Sequence, residues 1–174
     1  MSTFTLPDKS LPEFKVALLI CQEEYDQSEW FHGLQAPRTD GKALIKALQE
    51  MDFEVLAFSN LTVTEIKKAL DLFTTFINEQ TYVFFYFNGH ALGHGSDIYL
   101  VGKDSNLDCQ NPTMEQLVWH GEIETTLDKR RPLFATIIYD SCRDQLPDNV
   151  LHLIKESSRQ QVSTIHCESN FCIG

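Results

Sequence analysis

Two apolar runs set what this chain can become. Thr81 to Asn88 and Leu133 to Tyr139 are each about one strand long and rich in aromatic and β-branched residues. Each breaks off abruptly, the first into Gly89-His90, the second into Asp140-Ser141-Cys142-Arg143-Asp144. Runs without polar alternation suit strands covered on both faces, as in a parallel sheet sandwiched between helices. In open sheets of that kind function gathers at the carboxyl edge of the strands. One run therefore delivers a histidine, and the other a cysteine, to the same type of edge. A thiol of ordinary pKa is mostly protonated at neutral pH, and a neighbouring imidazole can take its proton or stabilise the thiolate nucleophile. A packing cysteine at a strand end and a satisfied structural histidine are the plain alternatives. The matched pair of strand ends favours chemistry.

The rest of the chain supplies strands and helices in alternation. Residues 1–14, with Pro7 and Pro12, read as a flexible leader ahead of a domain spanning 15–174. Lys15 to Ile20 is a first strand and Cys21 to Gly33 a loop. A helix opens at Ala36-Pro37-Arg38-Thr39-Asp40, with Leu44, Ala47, Leu48 and Met51 at helical spacing, and Phe53 to Phe58 makes the next strand. Asn60 and Thr62 are candidate N-caps for a helix carrying Ile66, Ala69, Leu70, Phe73 and Ile77. After the Tyr82–Phe87 strand comes a Gly/His loop over 90–96, then a small, exposed-looking strand over Asp97–Val101. An irregular stretch over 103–122 is anchored by Trp119, and a short helix runs from Glu122 to Lys129. Beyond the Leu133–Tyr139 strand, a helix over Pro147–Ser157 and a fifth strand over Gln161–Cys167 are expected. This order predicts one α/β domain with crossover connections.

Composition narrows the function classes. At 174 residues the chain can bury a real core, and 43% hydrophobic with 22% charged residues is ordinary for a globular domain. A formal net charge of -11 opposes nucleic-acid binding, because a phosphate-neutralising patch would work against the background field. No apolar run reaches the ~20 residues needed to span a bilayer, and the amino terminus lacks the basic start and apolar stretch of a signal peptide. The five cysteines, at 21, 109, 142, 167 and 172, form neither a framework nor a CxxC pair, which suits a reduced, cytoplasmic setting. A small flavodoxin-type ligand-binding domain is disfavoured, because no glycine- or hydroxyl-rich phosphate loop follows the first strand.

Taken together, Lys15–Ile20, the Ala36–Leu44 helix opening, Tyr82–His90, Ser96–Asp104 and Thr136–Asp144 fall in the order found in the caspase-like cysteine peptidases. The chain resembles the large catalytic subunit of that clan, and the paracaspase and metacaspase branches more than true caspases. Those branches carry an aspartate two residues before the nucleophile, as Asp140 precedes Cys142, where caspases have Gln-Ala-Cys. The resemblance implies a three-layer α/β/α fold with a mostly parallel sheet, truncated here before the last strand or strands. It implies a cysteine endopeptidase with Cys142 as nucleophile and His90 as general base and acid. The oxyanion would be held by the backbone N–H groups of Ala91 and Cys142. Asp40 and Asp140 match positions lining the primary pocket in paracaspases, where two carboxylates would select arginine or lysine.

The resemblance also implies a protein or peptide substrate, a possible homodimer or adaptor partner, and no cofactor; no calcium loop is visible. Arg38, near where true caspases bind aspartate, is the rival for specificity, and a dipole-favoured acid in a first helical turn is the plain reading of Asp40. Asp140 and Asp144 could likewise be loop carboxylates or caps. His94, in Gly93-His94-Gly95, rivals His90, and a metal at His90, His94 and Cys142 matches no zinc spacing. Three departures stand out. Alanine follows His90 where the family has glycine, Cys21-Gln22 replaces a Gly-Asn pair, and the small-subunit region lies beyond Gly174. An inactive caspase-like scaffold acting by binding is therefore the alternative function.

Overall fold

The computed structural model describes residues 11–26, 30–107, 113–145, 150 and 171–173. Its main sheet is built from β1 (Phe14–Cys21), β2 (Glu54–Ser59), β3 (Thr81–Asn88), β7 (Phe134–Asp140) and β9 (Phe171–Ile173), in the order β2-β1-β3-β7-β9. Every pairing in it is parallel. A second sheet, ordered β6-β5-β4-β8, holds β4 (Ala91–His94), β5 (Asp97–Val101), β6 (Leu117–Trp119) and β8 (Arg143–Gln145). Among the described residues the helices include α1 (Pro37–Glu50), α2 (Val63–Thr74) and α3 (His120–Asp128).

Parity along the strands makes the layers. Leu18, Ile20, Val83, Phe85, Phe87, Ile137 and Tyr139 face one side and pack with Val63, Ile66, Leu70 and Phe73 of α2 and Ile123 and Leu127 of α3. Ala17, Leu19, Cys21 and Tyr86 face the other side and pack with Leu48 of α1. The sheet therefore lies between α1 and the α2/α3 pair, and β1 is buried along both faces, as an uninterrupted apolar run requires. From β1 the chain crosses by α1 to β2 on one side and by α2 to β3 on the other. That reversal opens a crevice at the carboxyl ends of β1 and β3.

Several local expectations change. Thr62, not Asn60, caps α2: its side chain accepts from the Glu65 N–H while the Glu65 carboxylate accepts from the Thr62 N–H. Asn60 instead adopts φ 55° and turns its Oδ1 to the N–H groups of Glu23 and Glu24, at 2.9 and 3.0 Å. In α1, Leu48 is buried, but Ala47 and Met51 face solvent, since only one helix stripe meets the sheet. The Gly/His loop is in fact β4, closed on β5 by a tight turn at Gly95 (φ 61°) and Ser96, and β5 is buried rather than exposed. The stretch over 103–122 is partly ordered, with a 3₁₀ turn over Met114–Gln116, then β6, with α3 starting at His120. Trp119 anchors it by donating from Nε1 to Asp97 Oδ1 at 3.0 Å. The expected strand over 161–167 and most of the expected 147–157 helix fall outside the described residues; Val150 is helical and buried. Among the described residues no helix is long and apolar enough to cross a membrane.

On the α2/α3 side, α3 carries a partly buried polar pair. The His120 Nδ1 accepts from the Ile98 N–H at 3.0 Å, and its Nε2 lies 3.9 Å from Glu124 Oε1. Burial raises the Glu124 carboxyl above its ordinary value, more than His120 lowers it. A carboxyl raised in the folded state contributes stability below its unfolded pKa and loses it as pH climbs through the folded value. Glu124→Gln is thus expected to raise the melting temperature at pH 7 and to leave it unchanged below about pH 4. Thermal unfolding across pH 3.5–8 measures this; a neutral-pH loss in the variant would contradict it.

Candidate active site

The carboxyl edge is assembled by register. Cys21 pairs with Asn88 and Asn88 with Asp140, so these three residues form one row across β1, β3 and β7. Beyond the row, the second sheet continues the same alignment, because Ala91 of β4 pairs with Arg143 of β8. The pairs Asn88–Asp140 and Ala91–Arg143 share one offset along the chain. His90 and Cys142 carry that same offset and lie between them. The two residues expected to act together thus occupy corresponding positions where the main sheet hands over to the second one. Cys142 is a free, exposed thiol. His94 sits at the far end of β4, opposite Asp97 across the hairpin.

His90 is held from three directions. Its backbone N–H donates to the Tyr25 hydroxyl at 2.9 Å, and its C=O accepts from the Val101 N–H at 3.1 Å. The ring packs against Tyr25 and Phe31, with centroids 4.8 and 5.6 Å away. Its Nε2 lies 2.8 Å from the His32 carbonyl oxygen. A carbonyl can only accept, so Nε2 carries the proton and the lone pair of the neutral ring is on Nδ1. The Tyr25 hydroxyl is itself pushed up to about 12 by burial, against the lowering effect of the His90 N–H, and stays protonated.

The loop that brings Tyr25 and His32 to this place is tied down at its root. Gln22, fully buried, receives the Leu61 N–H on Oε1 at 2.7 Å and donates from Nε2 to the Leu61 C=O at 2.6 Å. Gln22 therefore ties the root of this loop to the segment that leads into α2. Ala91 lies in regular strand: the non-glycine residues with positive φ among the described ones are Asp52, Asn60 and Arg131. The left-handed strain that alanine could have brought to this position is absent.

The α1 side of the row carries the acids. Asp140 is exposed, and its Oδ2 accepts from the Tyr86 hydroxyl at 2.8 Å and from Asn88 Nδ2 at 3.4 Å. Asp40 is exposed in the first turn of α1. The next residue, Gly41, sits on the end of β1 so closely that a Cβ there would lie 2.6 Å from Cys21 Sγ. Burial first, then the Glu23 and Asp40 carboxylates, push the Cys21 thiol up to about 11, which marks it as a packing thiol rather than a nucleophile. Arg38 is exposed at the start of α1, its backbone N–H bonded to Glu23 Oε1 at 3.0 Å. Among the described residues no group of three or more His, Cys, Asp or Glu side chains is placed to hold a metal.

The profile of the caspase domain family matches residues 14–174, nearly the whole chain. The chain belongs to the caspase family. It is 31% identical over 137 residues to the human mucosa-associated lymphoid tissue lymphoma translocation protein 1, and 32% identical over 135 residues to the mouse homolog. These alignments cover 78% and 76% of this chain but only 16% and 15% of the relatives' own lengths. The likeness agrees with the paracaspase resemblance read from Asp140-Ser141-Cys142.

Sequence reasoning missed Tyr25, His32, Tyr86 and Asn88 as members of the site. Tyr86 and Asn88 alternate with Phe85 and Phe87 along β3 and so face α1, a polar clue inside an otherwise apolar run. His32 contributes a backbone oxygen, which no side-chain pattern can reveal.

Proposed function

We propose that this caspase domain is a cysteine endopeptidase cleaving after arginine or lysine. The observation that carries the reading is the shared register bracketing His90 and Cys142. In this reading His90 Nδ1 takes the Cys142 thiol proton, the thiolate attacks the scissile carbonyl, and the imidazolium returns the proton to the leaving amine. Water, deprotonated by the same ring, then releases the acyl group. The N–H groups of Ala91 and Cys142 receive the oxyanion. The imidazolium formed on the way is supported at Nε2 by the His32 carbonyl. Asp40 and Asp140 hold the basic side chain from the α1 side, and the net charge of -11 favours encounter with basic peptides. The substrate is a protein, and a second copy or an adaptor is the partner class that the family likeness suggests. The setting is the cytoplasm.

Fluorogenic peptides ending in Arg, Lys or Asp test this, with Cys142→Ala as control. Cleavage after Arg or Lys that vanishes in the control is the expected result. Cleavage after Asp would move specificity to Arg38. Failure on all three, with basic peptides still bound, would replace catalysis by a scaffold function.

A further inference from the structure

Among the described residues, three buried side-chain oxygens meet no hydrogen-bond partner within the protein: Glu124 Oε1, Tyr139 Oη and Ser141 Oγ. A buried polar atom left unpaired is costly, so three of them behind one strand end call for a partner from outside the chain. Tyr139 is 7% exposed and packs on the α2/α3 side of the sheet with Ile123 and Leu127 of α3. Ser141 is the next residue of the same parity, one step beyond β7 and directly before Cys142. From α3 the His120 ring stands edge-on to the Tyr139 ring, with centroids 6.3 Å apart, and its Nε2 lies 3.9 Å from Glu124 Oε1. Burial, and then the Glu124 carboxylate, push the Tyr139 hydroxyl well above its usual value, so the two groups sense one another and the hydroxyl keeps its proton.

The donors and acceptors here are complementary to one water molecule. His120 Nδ1 takes the Ile98 N–H at 3.0 Å, closer than the Ile98 C=O at 3.3 Å, so the proton of the neutral ring sits on Nε2, towards Glu124. A separation of 3.9 Å is too long for a direct hydrogen bond and suits two groups that share a bridging molecule. The Nε2–H and the Tyr139 O–H donate, the Glu124 carboxylate accepts, and the Ser141 hydroxyl does either. A water offers two lone pairs to the donors and two hydrogens to Glu124 and Ser141. A cation fits poorly, because two of the four groups present hydrogens to it.

We infer that one buried water binds between His120, Glu124, Tyr139 and Ser141 and fastens the turn carrying Cys142 to α3. This goes beyond the peptidase reading and does not depend on it, since it concerns how the thiol-bearing turn is held. Through Tyr139 and Ser141 the water grips the chain on either side of Asp140. Asp140 itself is held from the α1 side by Tyr86 and Asn88.

Thermal unfolding of the whole chain at pH 7 tests the sign. Tyr139→Phe and Ser141→Ala each remove a partner of the water, and each is expected to lower the melting temperature by about 2–4 °C, the scale of one hydrogen bond in a domain of this size. Deleting a hydroxyl that has no partner at all would raise it, so a rise or no change in either variant overturns the inference. A crystal structure of the parent is expected to show one water within about 3.2 Å of both Tyr139 Oη and Glu124 Oε1. A direct bond between Tyr139 and Glu124, or no water there, overturns it as well. Amide hydrogen exchange reads the fastening. In both variants exchange at Ser141 and Cys142 should quicken by about three- to tenfold, with the β1 and β2 amides unchanged. A uniform change across the sheet, or none at the turn, would show that the water does not hold Cys142. Should Tyr139→Phe fail to fold, Ser141→Ala carries the same comparisons.

Discussion

His90→Ala is expected to cut Cys142-dependent cleavage of an arginyl peptide by about a hundred- to ten-thousandfold, the range of a positioned acid–base group. The direction follows from the tautomer. Because the His32 carbonyl claims the Nε2 proton, Nδ1 is the nitrogen left to exchange protons with the thiol. The same bond grows stronger when the ring becomes cationic, so in the proposed dyad His32 would stabilise the state in which Cys142 is a thiolate. Packing against Tyr25 and Phe31 limits rotation, so the loss should fall on the chemical step more than on substrate binding. His94→Ala, on the far end of the β4 hairpin, should leave the rate near that of the parent. Single-turnover kinetics on the two variants, with melting curves to confirm folding, measure the contrast. Equal losses in both would remove His90 from its assigned role.

Much of this arrangement was legible in the chain because strand ends are marked chemically. The apolar runs ending at Asn88 and Asp140 announced two buried strands, and the residues just beyond them lie between the aligned pairs Asn88–Asp140 and Ala91–Arg143. What escaped was set by contacts distant in sequence. β4 and β6 are four and three residues long, too short to display alternation, and exist because they pair with β5. Asn60 and Thr62 are equally plausible caps on paper. The reciprocal bonds between Thr62 and Glu65 decide for Thr62 and free Asn60 to organise the loop after β1. The faces of α1 also depended on tertiary fit, since Ala47 and Met51 follow helical spacing yet lie beyond the stripe centred on Leu48. Asp40 was visible as an acid in a first helical turn. Its position over Cys21 needed the approach of Gly41 to β1, which sequence spacing does not encode.

Gly89→Ala is expected to cost about 1–3 kcal/mol of stability, the range for an overpacked core, and to depress activity beyond that loss. A Cβ at Gly89 would lie 2.9 Å from Gln22 Cβ, 2.9 Å from the Tyr25 hydroxyl and 3.1 Å from Phe87 Cζ. Gln22 cannot yield, because its side-chain amide is bonded at both ends to Leu61 and its N–H donates to the Asn88 C=O at 2.8 Å. Phe87 is fully buried in the core on the α2/α3 side. The softest neighbour is therefore the Tyr25 hydroxyl, which is the acceptor for the His90 N–H. Relief of the clash displaces the support of the proposed general base, so the damage passes from packing into catalysis. Tyr25→Phe removes the clashing oxygen together with that acceptor. In the double variant it should recover part of the lost stability but none of the lost rate. Chemical denaturation and kcat on the four members of this cycle give the answer. Recovery of both quantities together would show that Tyr25 is merely in the way and that His90 owes its position to the His32 carbonyl and the β4 backbone.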